Sequence, residues 1–312
     1  MRRINNLIFA SIILILVAGC SVKFSYAVLT RTPRVIFEFQ YEDARDFHDG
    51  MAAVKLNGRW GYINNLGQTV IPFNNRIPEP GNFADGFAFL GDRFVNYDGD
   101  PAFVNDDNPD VKYFSGGREF SQGVAAVQYG GQWGYIDLLG NFIIAPTYQN
   151  ARSFSEGLAA VMNNKGLWGY IDFMGNLKIP YKYVQAGDFR EGLARIKING
   201  RWGYINQSDK IIIAPAYYEA GDFGNGLAPV RGRNNYHGWG YINKSGKMII
   251  RRRFNYAGNF SEGLAPVAGD SRYGYINVRG EWEFSPFYDD VRSFSEGFAA
   301  VRQENKWGYI SQ

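Results

Sequence analysis

Cysteine is almost missing from this 312-residue chain. Cys20 stands alone, which excludes an internal disulfide framework and any multi-cysteine metal site. Histidine is nearly as scarce: His48 and His237 lie in unrelated contexts, with no Ser, Cys or second His placed to make a nucleophile or metal motif, and both read as exposed loop residues. Blocks rich in Ala, Leu, Glu and Lys are absent, so helix is expected to be a minor component. Charge of either sign is not concentrated. The 33 basic and 30 acidic residues leave a net +3 spread along the chain, without the basic stripe that phosphate neutralisation needs, so nucleic acid is not an expected partner. The one basic run, Arg251 to Arg253, reads as a solvated strand end. No strand-loop-helix glycine fingerprint for a phosphate is present either.

What is abundant is glycine, at 38 residues, and aromatic side chains, at 17%, the composition of short strands and tight turns. These residues recur in order. Phe-x-x-Gly-x-Ala begins at Phe47, Phe83, Phe120, Phe154, Phe189, Phe223, Phe260 and Phe294, giving eight units spaced 34 to 37 residues apart. An aromatic-Gly-Tyr phrase follows in seven of them, at Trp60, Trp133, Trp168, Trp202, Trp239, Tyr273 and Trp307; the second unit offers only the stretch around Phe94. A third apolar run ending near proline, such as "GNFIIAP", and a Tyr-x-x-Ala-x-x-Phe connector complete each unit. Each run has strand length and is bounded by Gly, Asn or Pro, and Asn57-Gly58 and Asn199-Gly200 are hairpin signals between the first two strands.

Alternation assigns faces. Ala159 and Val161 have counterparts in nearly every unit, whereas the residue between them varies through Ala160, Arg195, Pro229 and Pro266, so the steady face is expected to be the core face. Proline at the varied position implies an open strand side or a bulge. The Trp and Tyr of each aromatic phrase are expected to be the mortar between units, with the glycine allowing a neighbouring backbone to approach.

The chain ends are complementary. The last unit stops after "KWGYIS" without a third strand, and "RVIFEFQY", Arg34 to Tyr41, is a third strand without the first two. The fold expected is therefore all-β: eight tandem β-meander units closed into a propeller-like ring by the amino-terminal strand, with an open solenoid array as the alternative. The connector must then act as the fourth strand of each unit.

The first residues have a separate role. Arg2 and Arg3, an apolar stretch from Leu7 to Val17, and Ala18-Gly19 before Cys20 make a secretory signal over residues 1–19, too short for a comfortable membrane span. The ending "VAGC" resembles the lipobox of bacterial lipoproteins, which implies that Cys20 becomes the lipid-bearing first residue, that 20–32 is a tether and that 33–312 is the repeat domain. The repeat itself, Phe-x-x-Gly-Leu-Ala-x-Val followed by Trp-Gly-Tyr-Ile-Asp, resembles the WG-containing repeat of bacterial envelope and secreted proteins, over about Val35 to Ile310. That likeness implies architecture and a cell-envelope location, at the outer membrane, periplasm or cell surface, but no activity. A shorter likeness to the aromatic hairpins of choline-binding cell-wall repeats covers less than ten residues per unit.

No catalytic constellation and no cofactor motif emerge. The Glu of each "SEG" phrase (Glu156, Glu191, Glu262, Glu296) reads as turn chemistry. Asp98, Asp100, Asp106, Asp107 and Asp110 concentrate oxygen ligands in the irregular second unit, a composition that suits calcium, although the spacing matches no EF-hand and a solvated acidic loop is the favoured reading. The function expected is a non-enzymatic, envelope-anchored surface for binding another protein. The alternative is a glycan or peptidoglycan module whose aromatics are exposed in register.

Overall fold

The computed structural model describes residues 31–74, 80–104, 112–232 and 238–312. All regular structure in them is β. Seven four-stranded antiparallel sheets and one two-stranded sheet follow one another along the chain. The fourth unit shows the plan: Asn150–Ala151, Ala159–Met162, Trp168–Ile171 and Leu177–Tyr183 hydrogen-bond in that order. The connector does supply a strand, only two residues long, and it lies at the inner edge of each four-stranded blade.

Turn chemistry sets the hairpins. Asn57-Gly58 and Asn199-Gly200 both take positive φ at their two residues, 51° and 74° in the first and 48° and 74° in the second, the twist that lets neighbouring strands stay paired. Between the third and fourth strands an Asn or Asp side chain folds back on its own turn: Asp137 Oδ1 accepts from the backbone N–H of Leu139 at 2.9 Å and of Asn141 at 2.8 Å.

The glycine after each Trp is dictated by close approach. The fourth strand bulges here, since Trp133 pairs with Tyr148 while Tyr135, two residues on, pairs with Ile144. A Cβ on Gly134 would sit 2.6 Å from the Ile144 carbonyl oxygen and 2.7 Å from the Pro146 nitrogen. The same device recurs across the ring closure, where a Cβ on Gly308 would meet the Phe37 carbonyl oxygen at 2.7 Å.

Closure follows the sequence reading. Arg34–Tyr41 pairs antiparallel with Lys306–Ser311, with Arg34 opposite Ser311 and Val35 opposite Ile310, and becomes the outer strand of the last blade. Blade count departs from the eight full units expected. The second unit keeps only Ala88–Phe89 and Phe94–Val95, with an isolated bridge from Val95 to Pro101, so the ring has seven complete blades and one reduced blade. Loss of the Trp-Gly-Tyr phrase explains it, because without that glycine the third strand cannot receive a bulged neighbour.

The face assignment needs correction. Ala160, Pro229 and Pro266, on the varied face, are as buried as Ala159 and Val161. A blade has no solvent face in its middle, because a neighbouring blade covers each side: one cluster joins Trp168, Tyr170 and Ile179 of blade four to Phe189, Ala194 and Ile205 of blade five. The prolines break no ladder either, since Pro229 accepts from the Gly221 N–H at 2.8 Å and lies where no donor is called for.

Gly134→Ala is expected to cost about 1–3 kcal/mol of stability through backbone overpacking. Urea unfolding of the variant against the parent measures it.

Candidate functional site

Three repeated contacts run from each blade to the next and together frame the axis. In the first, the tyrosine of the aromatic phrase donates its hydroxyl to a connector carbonyl of the following unit: Tyr62 to Gly81, Tyr135 to Arg152, Tyr170 to Gly187, Tyr204 to Gly221 and Tyr241 to Gly258, all at 2.8 Å, and Tyr275 to Arg292 at 2.7 Å. Tyr309 closes the circle on Arg45 O at 2.8 Å. In the second, the phenylalanine of the following unit sets its ring against that tyrosine, as Phe154 does on Tyr135 and Phe47 on Tyr309, with centroids 4.9 and 5.0 Å apart. Phe94 stands in for the missing tyrosine of unit two and meets Phe120 at 5.1 Å.

The third contact is a ring of side-chain oxygens. The residue before each Gly turn adopts a left-handed conformation and accepts from the glycine N–H of the following turn. Asp49 accepts from Gly86, Asp85 from Gly123, Gln122 from Gly157, Glu156 from Gly192, Glu191 from Gly226, Asn225 from Gly263, Glu262 from Gly297 and Glu296 from Gly50. All eight units take part, the reduced one included. The "SEG" glutamates thus link blades in addition to shaping their own turns. Sequence reasoning missed this because the acceptor lies one repeat away. Its available signal was that every residue at this position is Asp, Glu, Asn or Gln.

At the axis the connector residue two before each repeat phenylalanine is Arg45, Gly81, Arg118, Arg152, Gly187, Gly221, Gly258 or Arg292. Its backbone N–H pairs with the varied residue of the adjacent strand, respectively Ala53, Phe89, Ala126, Ala160, Arg195, Pro229, Pro266 and Ala300. Arginine always faces alanine and glycine always faces a larger side chain. A Cβ on Gly187 would lie 2.7 Å from Arg195 Cγ, and one on Gly258 2.6 Å from Pro266 Cγ. This within-chain pairing was open to inspection in the sequence and went unread.

The arginines turn toward the tryptophans. Guanidinium carbons sit 5.0 to 5.7 Å from ring centroids in the pairs Arg45–Trp60, Arg118–Trp133, Arg152–Trp168, Arg195–Trp202, Arg231–Trp239 and Arg292–Trp307. Trp60, Trp168 and Trp307 are buried, and Trp133, Trp202, Trp239 and Tyr273 are half-buried. Several arginines also reach the next blade: Arg118 donates to Ala151 O and Asn150, Arg292 to Ala44 O and Asp43, and Arg195 forms an ion pair with Asp222 at 2.8 Å. Connector residues of five successive units, Arg45, Gly81, Arg118, Arg152 and Asp188, border one cavity of 510 Å³ beside the reduced blade.

Burial governs ionisation throughout. It holds the hydroxyls of Tyr135, Tyr170, Tyr241, Tyr275 and Tyr309 well above the usual tyrosine range and pushes Tyr288 up to about 12. Burial also raises the carboxyls of Asp46 and Asp188 despite the opposing charges of Arg292 and Arg152, and lowers Arg118, to which the neighbouring Arg152 charge adds.

The remaining residues singled out in the sequence fall elsewhere. Asp98 and Asp100 are exposed in the second unit's turn, where their backbone N–H groups donate to Asn96 Oδ1 as in the equivalent turns of units one and three to seven. Asp106, Asp107, Asp110, His237 and Cys20 lie outside the described residues, within which no three His, Cys, Asp or Glu side chains form a metal-binding group. His48 is half-buried rather than exposed, and its backbone pairs with Met51 to close a turn. On the rim opposite the tryptophans, the turns of blades three and four carry Leu138-Leu139 and Phe173-Met174. Leu139 is 74% and Met174 83% exposed, and Phe173 stacks on Phe154 with centroids 4.3 Å apart. Gln207-Ser208 and Lys244-Ser245 occupy the equivalent turns of blades five and six.

Comparison with known proteins finds the family described as WG containing repeat matching residues 30–60, 60–89, 133–166, 168–202, 202–236, 239–268 and 273–307. The gap from 90 to 132 holds Phe94–Val95 of the reduced second blade and the first two strands of the third. No curated protein matches the chain. Among solved structures, a eukaryotic initiation factor is similar at 10% identity over 86% of this chain and 83% of that one, with a TM-score of 0.54, a likeness of fold. Hsv2 of Kluyvelomyces marxianus matches at 11% identity over 88% and 98%, with a TM-score of 0.47, and BamB of Moraxella catarrhalis at 8% over 86% and 83%, with a TM-score of 0.42.

Two outcomes are expected. The buried tyrosines have folded-state values above the unfolded value of about 10, so their contribution to stability is complete below pH ~10 and is lost as pH rises above it. Unfolding midpoints should fall steeply through that window, and the 295 nm tyrosinate signal should appear together with unfolding. Separately, Gly258→Arg alone should destabilise by about 1–3 kcal/mol through its clash with Pro266, and Pro266→Ala should recover most of that loss in a double-mutant cycle.

Proposed function

Because the chain belongs to the WG-containing-repeat family and builds its repeats into a closed, rigid ring, we propose that it is a non-enzymatic binding platform for another protein of the bacterial envelope. The observation that carries this reading is the apolar pair of turns on blades three and four. A monomeric surface seldom leaves Leu139 and Met174 in adjacent equivalent turns without a partner, and the polar turns of blades five and six mark the ordinary solvated choice. Function on repeat scaffolds is carried by such variable turns.

The glycan alternative draws less support. A sugar platform needs open aromatic faces in register, whereas here each of the six tryptophans of the aromatic-Gly-Tyr phrases has a guanidinium near its ring and is at least half-buried. Anchoring rests on the lipobox-like "VAGC", with Cys20 carrying the lipid and residues 20–32 the tether.

The double variant Leu139→Asp, Met174→Asp should lose capture of its membrane-fraction partner while melting at the parent's temperature; capture undiminished in the double variant would sink the reading. The parent should not pellet with peptidoglycan sacculi, and its tryptophans should resist acrylamide quenching. Pelleting together with efficient quenching would restore the glycan alternative. Cys20→Ser should move the protein from the membrane to the soluble fraction, and unchanged partition would remove the lipid anchor from the proposal.

A further inference from the structure

The axial cavity of 510 Å³ beside the reduced second blade brings charges of both signs to one lining: Arg118 and Arg152 with Glu119 and Asp188. Of the arginines beside the axis, Arg118, itself part of the lining, and Arg292 hydrogen-bond to the following blade, and Arg195 contacts Asp222 at 2.8 Å. Arg152 makes a longer contact. Its nearest carboxylate, Asp188, stands 3.9 Å away, and both Arg152 Nε and Asp188 Oδ1 are buried without a hydrogen-bond partner among the described residues. An arginine donor and a carboxylate acceptor are thus held apart at the edge of a cavity large enough for a small molecule. Glu119 adds a second carboxylate to the lining, and Trp133, fixed under Arg118, adds an aromatic wall. The reduced blade lines it with Gly81, Phe89 and Gly91.

Buried donors and acceptors left without partners are unfavourable unless something satisfies them. A ligand of one charge would satisfy half of this set and be opposed by the other half. We propose that this cavity binds a small zwitterion, an amino acid or dipeptide, with the Arg152 guanidinium gripping its carboxylate and Asp188 and Glu119 accepting from its ammonium. A planar guanidinium suits a carboxylate in two-point contact, and two flanking carboxylates suit the three donors of an ammonium. The site is separate from the apolar turns on the opposite rim and stands whether or not those turns bind a protein.

Isothermal titration of the mature protein with alanine and with alanyl-alanine tests it, with succinate and 1,4-diaminobutane as single-sign controls. A zwitterion should bind at least about tenfold more tightly than either control, and Arg152→Gln and Asp188→Asn should each weaken it by about tenfold or more. Arg152 also lies over Trp168, so its variant is compared with Glu119→Gln, a near-isosteric change expected to weaken binding at an unchanged melting temperature. Absence of heat from alanine and alanyl-alanine up to about 10 mM overturns the proposal. So does succinate binding as tightly as the dipeptide, which would leave the two carboxylates without a role.

Discussion

No blade of this protein has a core of its own. Each is a single sheet with two apolar faces, and a sheet whose middle strands are buried on both sides is stable only when neighbours cover both. The ring must therefore close, because an open array would leave the flanks of its first and last blades wet. Closure depends on the pairing of Arg34–Tyr41 with Lys306–Ser311, and every contact that links blades n and n+1 is repeated between the last blade and the first. Tyr309 reaches Arg45, Ser295 reaches Phe47, Arg292 reaches Ala44, and Glu296 reaches Gly50. The junction made by joining the chain ends uses the same set of contacts as those made by continuous chain.

That equivalence explains why the repeat is so readable. Contacts that bind a unit to its own turns, such as Asn57-Gly58 or Asp137 with Leu139, leave local signatures, and the complementary chain ends announce closure. Contacts between units leave signatures only when the same position is compared around the ring. The oxygen acceptors from Asp49 to Glu296 read as isolated turn residues until Gly86, Gly123 and their counterparts are seen to be the donors. The face assignment went astray for a related reason. Alternation separates a core face from a solvent face when one side of a sheet is wet, but here both are covered, and the varied residue varied because its partner did.

The arginine-alanine and glycine-large pairs show what that variation conserves. The space between connector and strand at the axis is nearly constant, filled from one side or the other. Filling it with arginine from the connector, as at Arg152, or from the strand, as at Arg195, changes where the guanidinium emerges and which carboxylate it meets. Arg195 falls in direct contact with Asp222, while Arg152 stops 3.9 Å short of Asp188. A packing constraint common to all blades therefore yields unequal electrostatics around the axis.

The reduced blade completes that asymmetry. It retains what the ring cannot lose: Phe83 against Tyr62, Phe94 in place of a tyrosine, Asp49 and Asp85 in the oxygen ring, and the Gly81 to Phe89 hydrogen bond. It keeps only Phe94–Val95 in place of the aromatic-Gly-Tyr strand and gives up the outer strand, which seven other blades keep. Of the three repeated interblade links, the aromatic contact of Phe94 with Phe120 and the Asp85–Gly123 hydrogen bond survive between blades two and three, and the hydroxyl link does not, because Phe94 has no hydroxyl. On the rim opposite the tryptophans the next two blades carry the apolar turns at Leu138-Leu139 and Phe173-Met174. The reduced blade and the apolar turns thus lie in neighbouring blades two to four, and Leu66 of blade one is exposed in the equivalent turn. A ring held by the same few links at its junctions tolerates such change wherever most of those links are kept.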